Sequence, residues 1–298
     1  MGGLTVAETA VSFRRRAEQL VAHLPPLLVK AEQVAAIVAQ GVHGRRRVGP
    51  GETFWQFRRY ERGDAATMID WRASAKSTRL YVRETEWEAA ESVWLWADAS
   101  ASMRFGSRLS DTTKLERAQL ILMALAVLLV RGDENIALLG TDRRPRTGSA
   151  ALTRFATRLT HEDGDEPSSL PPLEILPKHA QLVLVGDFLE PLDQLETMIK
   201  HFAGSGVIAH LVQVLDPAEE TLPYAGRILF DGLESEGIML ASRAEALRSD
   251  YVHRLNAHRE ALARLTRTMG WSFTTHHTDG APQAALLPLY VDLAGQVT

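Results

Sequence analysis

The sequence has no cysteine, which excludes disulfide frameworks and thiolate metal sites. No window reaches the roughly 18 consecutive apolar residues that a bilayer crossing needs. The most apolar run, LILMALAVLLV from Leu120 to Val130, spans 11 residues and predicts a buried helix. The N-terminus carries Glu8 and lacks the basic-then-apolar order of a signal peptide, so the expectation is a cytoplasmic chain with no membrane partner. Also missing are G-x-x-x-x-G-K-[ST], G-x-S-x-G and H-E-x-x-H, which removes nucleotide hydrolysis by a P-loop, the nucleophile elbow and the zincin site. No internal repeat or low-complexity tract is visible.

What is present is a chain of 298 residues, 45% hydrophobic and 23% charged, enough for one sizeable core with an appended subdomain. Its net charge of −4 is unevenly spread. Residues 1–83 hold 14 Lys/Arg against 7 Asp/Glu, and the remainder holds 19 against 30. Such asymmetry can mark a nucleic-acid arm. Here the basic residues are interleaved with Glu and apolar positions, as in FWQFRRYERGD, which favours ion pairing of Arg58, Arg59 and Arg62 with the acidic main body.

Residues 5–23 and 26–40 have helical apolar spacing, broken at Pro25-Pro26. The runs 79–86 and 92–98 read as short strands, taken as an antiparallel pair. Beyond them helices and strands alternate: a helix over 112–131, a strand in ENIALLG, a helix in SAALTRFATRL, and the strand QLVLVGD (181–187). A helix in LDQLETMIKHFA and a strand over 207–216 follow. Apolar strands without alternation, joined by helices, predict a mainly parallel sheet covered on both faces. A hairpin interrupts within about residues 222–241, and a long helix (243–269), a final strand in WSFTTHH and a short helix complete the chain. The expected division is an N-terminal extension over 1–78 and an α/β domain over 79–298.

In such a sheet ligands bind at the carboxyl ends of the strands, at a topological switch point. Asp98 and Asp187 each stand where an apolar strand gives out. An extended chain past Asp98 would project Asp98, Ser100 and Ser102 to one side. That gathers hard oxygen ligands suited to Mg²⁺, Mn²⁺ or Ca²⁺. On its own a D-x-S-x-S is more often a capped turn; the strand context and Asp187 favour a site.

Asp98, Ser100 and Ser102 resemble the first motif of the metal-ion-dependent adhesion site of von Willebrand factor A domains. The block GPGETFWQFRRYERGDAATMIDWRASAKSTRLYVRETEWE (Gly49 to Glu88) resembles the signature of the bacterial family catalogued as domain of unknown function 58. Its marks are Gly49, Gly51, Arg59-Tyr60, Gly63-Asp64, Ile69-Asp70-Trp71 and the strand from Arg79 to Arg83. The likeness continues through LVLVGDFLEPLDQL and VLDPAEETLPYAGRILFDGLE, covering about residues 40–290. The resemblance implies a von Willebrand factor A-like (Rossmann-like) α/β fold with a helical and β N-terminal extension. It implies a metal held by Asp98, Ser100, Ser102 and Asp187, with one position open for a partner's acidic residue. Where the second loop usually gives a threonine this chain offers Ser168 or Ser169, and Ser168 is the choice. Proteins of the resembled family are linked with MoxR-type AAA+ ATPases, so the expected role is a non-enzymatic adaptor or co-chaperone beside such a motor.

Rival readings are weaker. An aspartate-nucleophile phosphatase built on Asp98 needs a second acid two residues on, where Ser100 stands. HEDGDE (161–166) clusters four carboxylates without the spacing of a calcium loop. His276 and His277 are adjacent on a strand and face opposite ways. His253 and His258 are five apart on a helix and do not align. The two RGD triplets, 62–64 and 131–133, read as a turn and a helix end. The aromatics Phe54, Trp55, Phe57, Tyr60 and Trp71 read as packing.

Overall fold

The computed structural model describes residues 26–42, 54–59, 74, 80–85, 92–160, 168–233 and 237–295. Helix α1 (Pro26–Val42) opens on a proline, which lacks only an N–H that the first turn cannot use. Its apolar residues Leu28, Ala31, Val34, Ala35 and Val38 recur at helical spacing and are buried. Strands β1 (Phe54–Arg59) and β2 (Tyr81–Thr85) pair antiparallel from Phe54↔Thr85 to Arg59↔Tyr81, with an irregularity between Phe54 and Gln56. The hydroxyl of Ser74 accepts the N–H of Tyr81 at 2.9 Å.

Next come β3 (Ser92–Ala97), α2 (Lys114–Arg131), β4 (Asn135–Leu138) and α3 (Ser149–Leu159). They are followed by β5 (Gln181–Gly186), α4 (Leu192–Gly204), β6 (Ile208–Leu215) and the single turn α5 (Pro217–Thr221). The hairpin β7 (Ile228–Asp231) and β8 (Ile238–Ala241), then α6 (Arg248–Thr268), β9 (Ser272–His277) and α7 (Gln283–Gly295) complete the chain.

Five of these strands form one parallel sheet in the order β4-β3-β5-β6-β9. The central strands are buried along their length, as expected when helices cover both faces. One face carries α1, α2, α3 and α7, with α2 buried almost continuously from Ala118 to Leu129. The other carries α4 and α6 over Trp94, Trp96, Leu182 and Leu184. Residues 139–146 double back beside β4, where Ile136 and Arg146 form a lone antiparallel bridge of two backbone bonds, 2.8 and 2.9 Å. No helix among the described residues is long and apolar enough to cross a membrane.

One sequence expectation is corrected. β2 does not pair with β3: its partner is β1, and β3 lies inside the parallel sheet. The reason is burial. Val93, Trp94, Leu95 and Trp96 are all buried, so β3 needs cover on both faces, which an antiparallel ribbon lacks. By compactness α1 goes with 92–298, and β1 and β2 belong to a separate unit. The expected helix over 5–23, the HEDGDE loop and the RGD at 62–64 lie outside the described residues. The RGD at 131–133 ends α2, with Asp133 at φ 61°.

Candidate functional site

Connections after β3 go first to β4 on one side, while β5 and β6 build out on the other. The switch point therefore lies between β3 and β5, and the residues leaving those strands are Asp98 and Asp187. Asp98 continues the ladder for one step, its N–H bonded to Val185 O at 2.8 Å. The chain then turns instead of staying extended. Asp98 Oδ1 accepts the N–H of Ser100 at 2.8 Å, and a short 3₁₀ turn follows over Ser102–Arg104. The turn nonetheless brings the hydroxyls together: Ser100 Oγ and Ser102 Oγ are 3.2 Å apart. Ser102 Oγ donates to Asp187 Oδ2 at 2.7 Å. Gly186 makes the close approach possible, since a Cβ there would sit 2.9 Å from Asp98 Cβ.

Asp187 is aimed by the residue after it. Phe188 is buried with φ 48°, a left-handed conformation that a bulky side chain adopts only when its surroundings impose it. Gln213 Nε2 donates to Asp187 O at 2.8 Å, and the His258 ring nitrogen lies 2.7 Å from Phe188 O. These two contacts satisfy the carbonyls on either side of the reversal.

The sequence reading missed the other half of the cluster. Lys114, the first residue of α2, is fully buried, with Nζ 2.9 Å from Asp187 Oδ2 and 2.7 Å from Glu219 Oε1. Burial works against its charge, but the facing carboxylates of Asp187 and Glu219 outweigh it and raise its affinity for a proton. Burial pushes the Glu219 carboxyl up, against the pull of Lys114. Glu219 is held from a second direction: Oε2 accepts the N–H of Asp216 at 2.8 Å, while Asp216 caps α5 at Ala218. A signal was available in DTTKLE, where Thr113 and Glu116 form a capping box that fixes the start of α2 at Lys114. A lysine at that position opposes the helix dipole and so invites a separate explanation.

The donor set suits a hard divalent ion in type and in spacing. Adjacent ligands of an octahedral ion with bonds of about 2.1 Å lie about 3 Å apart, and the chain places Ser100 Oγ and Ser102 Oγ 3.2 Å apart. Ser102 gives its proton to Asp187, so in its contact with Ser100 its oxygen is the acceptor. Asp187 itself is engaged, with Oδ2 accepting both Ser102 and Lys114, so it supports Ser102 more than it offers a ligand. The Ser168 hydroxyl accepts the N–H of Leu170 at 3.2 Å, and Ser169 donates to Glu190. Among the described residues no group of three or more His, Asp or Glu is placed to hold a metal without the hydroxyls.

A family model described as Protein of unknown function DUF58 matches residues 56–261. The chain belongs to the DUF58 family. This DUF58 chain is 26% identical over 283 residues to the uncharacterized protein Rv1480 of Mycobacterium tuberculosis, covering 88% of this chain and 86% of that one. The same figures hold for the uncharacterized protein Mb1516 of Mycobacterium bovis. Among solved structures, BatB from Bacteroides thetaiotaomicron aligns with a TM-score of 0.34 and 11% identity, over 69% of this chain and 98% of that one. An aerotolerance-related membrane protein from Bacteroides fragilis aligns with a TM-score of 0.37 and 14% identity, over 70% and 98%. With scores this low, the fold assignment of the DUF58 chain rests on its own topology.

Proposed function

We propose that this DUF58 chain is a cytoplasmic, non-enzymatic interaction module of von Willebrand factor A type. In this reading it recognises an acidic residue of a partner at the carboxyl edge of its sheet. The observation that supports this most directly is the meeting of Ser100 and Ser102 with Asp187, from two chain segments, at the switch point. Asp98, Ser100 and Ser102 would hold a divalent ion, with Asp187 orienting the Ser102 hydroxyl. Bound there, Mg²⁺ would supply a positive centre with an exchangeable position for a carboxylate. The partner proposed is a MoxR-type AAA+ ATPase.

The test is calorimetric titration of the purified ATPase into the full chain, in Mg²⁺, in EDTA, and with Asp98→Ala. Binding that weakens at least tenfold in EDTA and in the variant supports the reading. Equal affinity in all three conditions removes it. Turnover of p-nitrophenyl phosphate lost with Asp98→Asn would point instead to a metal-dependent hydrolase.

A further inference from the structure

We infer that Lys114 is the resident cation of this edge. Its ammonium takes, on Asp187 and Glu219, the place of a second metal ion, and it keeps the serine cluster organised when no divalent ion is bound. The inference deepens the reading above and rests on it in one respect, that Asp98, Ser100 and Ser102 form a cation-binding surface.

Four observations converge on it. Lys114 has no solvent-exposed side-chain surface, and its nitrogen bonds one oxygen from each of two carboxylates on different segments. The helix does not account for its place, because a positive charge at the first position opposes the dipole and the Thr113–Glu116 box already caps the start. Glu219 cannot turn away, since its other oxygen closes the cap of α5. The oxygen that Lys114 holds on Asp187 is the same Oδ2 that accepts the Ser102 hydroxyl. The ammonium therefore fixes the carboxylate that fixes the serine. An ion that must be captured from solution would do this only when loaded, whereas a lysine does it permanently. A covalently attached charge thus maintains the frame on which Ser102 is held. Lys114 acts through Asp187 and is a positioning residue.

The experiment compares melting temperatures in EDTA and in MnCl₂ for the wild-type chain, Lys114→Met and Lys114→Met/Asp187→Asn, each repeated with Asp98→Ala. Removing a buried counter-ion while leaving its carboxylates in place is strongly destabilising. Lys114→Met should therefore melt on the order of 10 °C lower in EDTA. Mn²⁺ should then bind between Asp187 and Glu219 and restore at least half of the loss. This Mn²⁺-minus-EDTA difference should be several-fold larger than in wild type and should persist in the Asp98→Ala background. The double variant should melt above Lys114→Met in EDTA and lose the Mn²⁺ response. If Lys114→Met does not fold, recovery of folding in the double variant carries the same meaning. Equal Mn²⁺ responses in wild type and Lys114→Met, or a double variant less stable than the single, overturns the inference. Failure of the interaction reading appears elsewhere, as partner binding indifferent to Asp98→Ala.

Discussion

Glu219 and Glu220 are neighbours on one short helix, and they have opposite fates. Glu219 points inward to a fully buried lysine, and burial raises its carboxyl. Glu220 points outward to Arg259 and His277, all three between a fifth and two-fifths exposed, and the hydrogen bond from Arg259 lowers its carboxyl. β9 repeats the division. His276 is buried, while His277 reaches Glu220 at 2.9 Å. At the same edge of one sheet, then, two adjacent glutamates serve a largely dry ion cluster and a wet one. Their worth differs because water screens the second cluster more than the first.

The sharpest way to break the comparison is Lys114→Met, which strands the buried carboxylate of Asp187 and the half-buried one of Glu219 and should cost about 3–5 kcal/mol in urea unfolding. A loss under about 1 kcal/mol would place Lys114 among surface charges. Next in size is the acid limb of stability. Burial, aided for His276 by Arg117, depresses His210 and His276 from 6.5 to about 4. Both are neutral in the fold and protonate in the unfolded chain first. Their contribution is complete above pH 6.5 and drains away as pH falls towards 4, by roughly 3 kcal/mol each. Urea midpoints measured at pH 7.5 and 4.5 should separate less in His276→Gln than in wild type; parallel behaviour would show that His276 is not the buried group.

Gly186→Ala comes third. The added methyl meets Asp98 at 2.9 Å, so a loss of about 1–3 kcal/mol is expected, together with loss of cation binding seen by Mn²⁺ relaxation. Unchanged Mn²⁺ relaxation would mean that Asp98 is dispensable for the ion. The smallest effect belongs to Glu220→Gln in the wet cluster, no more than about 1 kcal/mol at neutral pH. Since its carboxyl is lowered in the fold, even that contribution is present above pH 4.5 and fades below it. A loss matching Lys114→Met would erase the distinction between the clusters.

Much of the sheet was legible because its strands are uninterrupted apolar runs that stop at a carboxylate; SVWLWAD and QLVLVGD announce both their burial and their ends. Asp98 and Asp187 were found on that ground alone. Lys114 was not, because a lysine at a helix start carries no periodic signal, and its partners lie 73 and 105 residues away. The pairing of β2 was missed for a related reason. FWQFRR mixes aromatics with arginines and suggests packing more readily than a strand. Ser168 was chosen by position in a loop, where spacing says little about which hydroxyl points where.

The return of the chain beside β4 has a consequence for the molecule's company. A parallel sheet ending in a bare strand offers a row of backbone donors and acceptors to any extended peptide. The single bridge between Ile136 and Arg146 spends two of those bonds within the chain, and Pro145 beside it has no N–H to offer. The margin is hemmed there, so further strands are discouraged from joining along that border.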